Sequence, residues 1–164
     1  MQGIQQNIPV ATLTAGLTCT TIYNSPYAHA TLAGNVKRYA VGYSPYAYVI
    51  LGARLGASGD FILAAVGEYD AVFAATSSTT TAYENNGVYW YFYSPKSMGF
   101  AATSSVQLNT ADALNPLTDS NRYRLSWHLD NPSADKATNG GYRVGTITGL
   151  NSDQRYYKVV MYCN

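Results

Sequence analysis

The chain of 164 residues holds two histidines and two cysteines, and the spacing of these four side chains limits the chemistry open to it. His29 and His128 lie 99 residues apart, and no H-E-x-x-H, H-x-E or C-x-x-C motif accompanies them. A zinc site therefore lacks a ligand set. Cys19 and Cys163 are too far apart in sequence to form a metal motif. Buried, reduced thiols are the expected state for this pair, with a disulfide between the first and last strands as the alternative. His128 and Asp130 fall two apart in "RYRLSWHLD", so on a strand they share a face. That pairing is commoner as a surface hydrogen bond than as part of a Ser–His–Asp triad, and no G-x-S-x-G elbow is present.

The carboxylates give two further possibilities. Glu68, Asp70 and Glu84 are the candidates for a glycosidase pair, and Glu68 and Asp70 flank Tyr69 at an expected turn. Solvated turn residues are the simpler reading. "LTDSN" (117–121) and "LDNPSAD" (129–135) are oxygen-rich, and Asp119, Asp130 and Asp135 could hold calcium, but Asx-turns account for the same residues. No phosphate-binding loop occurs. The expectation is a protein that is not an enzyme, with no catalytic set, no metal and no cofactor.

The most suggestive stretch is aromatic. In "VYWYFYSP" a strand would place Trp90 and Phe92 on one face and Tyr89, Tyr91 and Tyr93 on the other. Trp90 and Phe92 are natural core residues. The three tyrosines either pack beneath another layer or form a flat amphipathic platform for a subunit or a sugar ring. With Trp127, His128 and Arg143 they make up the candidate interface or sugar platform.

Composition sets the frame for these residues. Charged residues are 12% of the chain, about half the ~25% of ordinary domains, and only two are Glu. Sixteen tyrosines and many Thr, Gly and Asn favour strands and turns. A net charge of +1 gives no electrostatic pull on nucleic acid. The longest apolar stretches are of strand length, so no membrane span is expected, and the N-terminus has neither the basic nor the apolar region of a signal peptide.

About ten to twelve strand signals recur along the chain with turn residues between them, which predicts an all-β sandwich, jelly-roll-like, in a single domain. Strands are expected at "NIPVATLT", "LTCTTIY", "VKRYAVGY", "AYVILGARL", "DFILAAV" and "YDAVFAAT". Asn86-Gly87 predicts a type I′ hairpin. "TADALNPLTDSN" holds the only expected helical turn. Residues 1–15 read as an N-terminal arm or edge strand, the arm lying on a neighbour, and 16–164 as the sandwich. Within the sandwich, 121–164 is the closing β module, in which "YRVGTITGL" and "QRYYKVVMY" form a hairpin.

That last module carries a resemblance. Its pattern is Leu125, Trp127 and His128, then Gly141, Tyr142, Arg143 and Gly145, then Leu150 and Asn151, and finally Tyr157, Lys158, Val159 and Tyr162. It resembles a small C-terminal β module of phage and other virion surface proteins, such as fibre tips and head decoration proteins, over about a quarter of the chain. The resemblance, with the low charge and abundant tyrosine, implies a non-enzymatic virion structural protein. Such a protein would be a capsid decoration or cement protein or a fibre tip, trimeric, and placed on the virion surface after assembly in a host cytoplasm. Its partners would be copies of itself and a major capsid or fibre protein. A lectin-like carbohydrate-binding module is the alternative, and a subunit of an extracellular filament the second alternative.

Overall fold

In a computed structural model the described residues are 2–77, 80–94, 96–104, 121–130 and 141–164. They form two five-stranded antiparallel sheets packed as a sandwich. The first sheet has the order β1-β4-β3-β10-β2, with β1 Gln5–Ile8, β2 Cys19–Pro26, β3 Tyr48–Leu55, β4 Phe61–Glu68 and β10 Tyr156–Cys163. The second runs β5-β6-β7-β8-β9, with β5 Tyr83–Asn85, β6 Val88–Tyr93, β7 Ser97–Ala101, β8 Leu125–His128 and β9 Gly141–Val144. Among the described residues the second sheet is a meander in strict chain order, and this order does not confirm a jelly roll. The expected helical turn at "TADALNPLTDSN" lies outside the described residues apart from Asn121.

The core follows from the period-2 pattern. Val49, Leu51, Val160 and Tyr162 of the first sheet face Trp90, Phe92, Phe100, Leu125 and Trp127 of the second. Ile50, Phe61, Ala64, Val66, Val159 and Met161 form a second cluster with the N-terminal segment. Ile8 and Leu13 of that segment are buried on it, and β1 pairs with β4. Residues 2–15 thus hold an edge strand plus one helical turn, α1 (Val10–Leu13), packed on the chain's own first sheet.

Four further expectations change. β9 and β10 are not a hairpin, because β9 is an edge of the second sheet and β10 lies between β3 and β2 in the first. "VVMYC" has no polar face, and a strand apolar on both sides goes where both faces are covered. "YDAVFAAT" contains a helical turn, α3 (Tyr69–Val72), since Tyr69, Val72 and Phe73 fall three and four apart and bury one side. "VKRYAVGY" forms no strand: Ala33–Val36 is a one-turn helix, α2, and 37–47 is a loop. Cys19 and Cys163 are joined by a disulfide, not reduced, because β2 and β10 pair in the register that sets the two residues opposite one another. The Asn86-Gly87 turn is as expected, with φ of 56° and 75°.

Candidate functional site

The six candidate residues do not converge. Trp127 is fully buried in the core between the sheets, edge-to-face with Tyr27, and its indole N–H has no acceptor among the described residues. The tyrosines of β6 point the opposite way, as the alternation predicts. Tyr91 is 1% exposed and sits in a row across the sheet with Gly99, Ser126 and Arg143. Tyr89 and Tyr93 are half-buried. An exposed three-tyrosine platform is therefore corrected: the central ring is packed over Gly99, and Trp127 cannot join it from the other face. His128 is buried opposite Ser97, and Asn151 Nδ2 approaches its Nε2 at 3.2 Å. Arg143 is 1% exposed, and its Nε donates to the carbonyl of Gly145. Burial, and then the neighbouring Arg124, pull its pKa below the usual guanidinium value.

Several motif residues thus have structural work. Gly145 has φ of 59°, and a Cβ there would lie 2.5 Å from the carbonyl oxygen of Arg122. Gly141 gives its space to the ring of Tyr27, whose hydroxyl reaches the carbonyl of Arg143. Asp130 forms no catalytic pair with His128. It lies beyond the end of β8 at φ 54°, and its carboxylate accepts from the Ala33 amide and the Ser94 hydroxyl. Glu84 accepts from the Gly87 amide and so serves the hairpin turn. Asp119 and Asp135 lie outside the described residues. Among the described residues no group of three or more His, Cys, Asp and Glu is placed to hold a metal ion. No helix among them is long and apolar enough to cross a membrane.

A surface that sequence reasoning missed is the loop 37–47. It has no regular structure, yet two core tyrosines fix its backbone. The Tyr69 hydroxyl donates to the carbonyl of Tyr39 at 2.7 Å and accepts from the amide of the same residue at 3.0 Å. The Tyr162 hydroxyl does the same between the Val36 carbonyl and the Arg38 amide. Each phenol takes the place of a strand neighbour, which explains why this alternating segment forms no strand. Burial raises the pKa of both phenols, so both stay protonated and able to donate. Asp70 accepts from the Gly42 amide, Asn164 from the Ala47 amide, and Ser44 bonds both polar groups of Tyr46.

The fixed loop exposes apolar side chains. Tyr43 is 81% exposed, Val41 40% and Tyr39 38%, and Tyr48 follows at the start of β3. Tyr39 also touches Tyr46, Tyr69 and Tyr162, so its ring rests on the core aromatics. Beside the loop, two adjoining clefts of about 430 and 300 Å³ share Tyr48 and Glu68.

A buried cation is the other feature the sequence hid. Lys158 is fully buried on the inner face of β10, where its ammonium donates to the carbonyl of His29 and to Thr31 Oγ1. Thr31 in turn bonds the Tyr23 hydroxyl at 2.6 Å, and the Tyr23 ring lies 5.9 Å from Nζ. Burial pulls the lysine pKa down to about 7.

No protein-family model, curated protein or solved structure matches the chain.

Proposed function

We propose that the chain is a non-enzymatic structural protein of a virion surface, a decoration, cement or fibre-tip subunit that acts through protein interfaces. The observation that carries this reading is the loop 37–47, whose backbone is fixed by Tyr69 and Tyr162 while Tyr39, Val41 and Tyr43 remain exposed. A loop already ordered loses little entropy on binding. Tyrosine supplies large contact area and a hydroxyl at small entropic cost. The contact partner is another protein surface, either a second copy or the capsid or fibre subunit beneath it. The Cys19–Cys163 disulfide supports exposure to an oxidising environment, which virion and cell surfaces provide.

Absolute mass in solution, by light scattering over a concentration series, tests the reading. A trimer or other closed oligomer that Val41→Ser and Tyr43→Ala dissociate supports it. A monomer at every concentration that also fails to bind purified virions or capsids removes it.

A further inference from the structure

The groove beside the loop carries chemistry that a protein interface does not require. Tyr48 and Glu68 face each other as the last rung of the β3–β4 pairing. The two clefts open on either side of this rung, so together they form one groove with the phenol ring and the carboxylate at its centre. Their volumes fall within the ~300–1,000 Å³ range of small-molecule sites.

The Asn85, Asn86 and Asp70 side chains of the groove are each held by a hydrogen bond with a backbone group. The Glu68 amide donates to Asn85 Oδ1 at 2.9 Å, which orients the carboxamide and leaves its Nδ2 without a partner among the described residues. Asn86 Nδ2 donates to the carbonyl of Val66, and Asp70 Oδ1 accepts from Gly42, leaving Oδ2 open. The Glu68 carboxylate is exposed. Tyr48 is 38% exposed and presents part of its ring. The groove thus offers strong acceptors, an amide donor and an aromatic face within a preformed backbone. A ligand fitting all three has many hydroxyls, which both donate and accept, and a C–H face to lie on the ring. A purely cationic ligand would leave the Asn85 donor unused.

We infer that the groove at Tyr48, Glu68, Asp70 and Asn85 binds a neutral oligosaccharide. Hydroxyls of the oligosaccharide donate to Glu68 and Asp70 and accept from Asn85 Nδ2, while an apolar sugar face lies against Tyr48. This role goes beyond the interface function and does not depend on it, because Tyr43 and Val41 do not line the groove.

The test is an array of neutral and acidic oligosaccharides probed with the purified protein. A ¹H–¹⁵N titration with the strongest neutral binder follows. Expected are shifts at the amides of Ala47, Glu68, Asn85 and Asn86, and at least tenfold weaker binding in both Tyr48→Ala and Glu68→Gln. Tyr43→Ala is expected to bind as the native chain does. Absence of any shift at these amides with millimolar neutral oligosaccharide overturns the inference. So does saccharide binding that survives both groove variants, or tighter binding of a trilysine peptide that Glu68→Gln abolishes. Solution mass, which tests the interface role, is read separately on the same variants.

Discussion

The tyrosines of β6 and those of the loop 37–47 are the same residue type with opposite fates. Tyr91 lies in the most aromatic stretch of the chain, yet it is 1% exposed, packed over a glycine on the neighbouring strand. Tyr43 lies in a segment that reads as an ordinary strand, yet it is 81% exposed. Exposure is not a property of the residue or of its local density. It depends on what the tertiary structure brings against the ring. Tyr69 and Tyr162 occupy a third position: their rings are in the core and their hydroxyls hold the loop that exposes Tyr43.

The largest expected effect breaks the buried side of this comparison. Tyr91→Ala should cost about 3–5 kcal/mol of unfolding free energy, the range for deleting a buried aromatic ring, whereas a surface platform residue would cost under about 0.5 kcal/mol. Urea unfolding separates the two. Next comes the disulfide beneath the loop's support. Cys163 adjoins Tyr162, and the bridge closes a sequence separation of 144 residues. Cys19→Ser with Cys163→Ser should cost about 2–5 kcal/mol, and thermal unfolding with and without reductant reads the same difference in the native chain.

Removing one loop-fixing hydroxyl is smaller and more local. Tyr69→Phe should cost about 0.5–1.5 kcal/mol, because the part-buried amide and carbonyl of Tyr39 lose their partner. Hydrogen exchange at the Tyr39 amide should accelerate while the amides of β6 stay protected. Equal acceleration in both regions would show that the loop is not separately held.

Lys158 adds a pH dependence to the core. Its pKa is about 7 in the fold and near 10.5 unfolded, so between these values the unfolded chain binds the proton and the folded chain does not. Stability from this group therefore rises with pH from about 7 to 10.5, and below about pH 7 the full cost of burying the charge is present. Lys158→Met should flatten that rise in urea midpoints measured at pH 7 and 9.5. The smallest effect belongs to Tyr43→Ala, expected within about 0.5 kcal/mol of the native stability while it weakens partner binding.

Much of the sandwich was legible in the residues. The alternation in "VYWYFY" placed Trp90 and Phe92 in the core, Asn86-Gly87 placed the β5–β6 turn, and the strand-length apolar runs gave β3 and β4. The candidate site was not legible. Periodicity predicts which residues share a face but not whether that face is covered, so Tyr89, Tyr91 and Tyr93 were grouped together while their packing or exposure stayed open, and the structure buries Tyr91. The loop 37–47 alternates like a strand, and nothing local says that two phenols distant in sequence will take its hydrogen bonds.

The sequence by itself determined that this is a weakly charged all-β chain with two apolar faces to bury, because side-chain period and turn chemistry are local properties. Only the tertiary structure decided that β10 leaves its sequence neighbour β9 for the middle of the other sheet. It also decided that Cys19 meets Cys163, that Lys158 is buried without a carboxylate bonded to it, and that Tyr48 and Glu68 share a groove. Each of these depends on contacts between residues far apart along the chain. Such contacts are chosen by the total apolar area buried and by the pairing of every polar group, and no single segment encodes that sum.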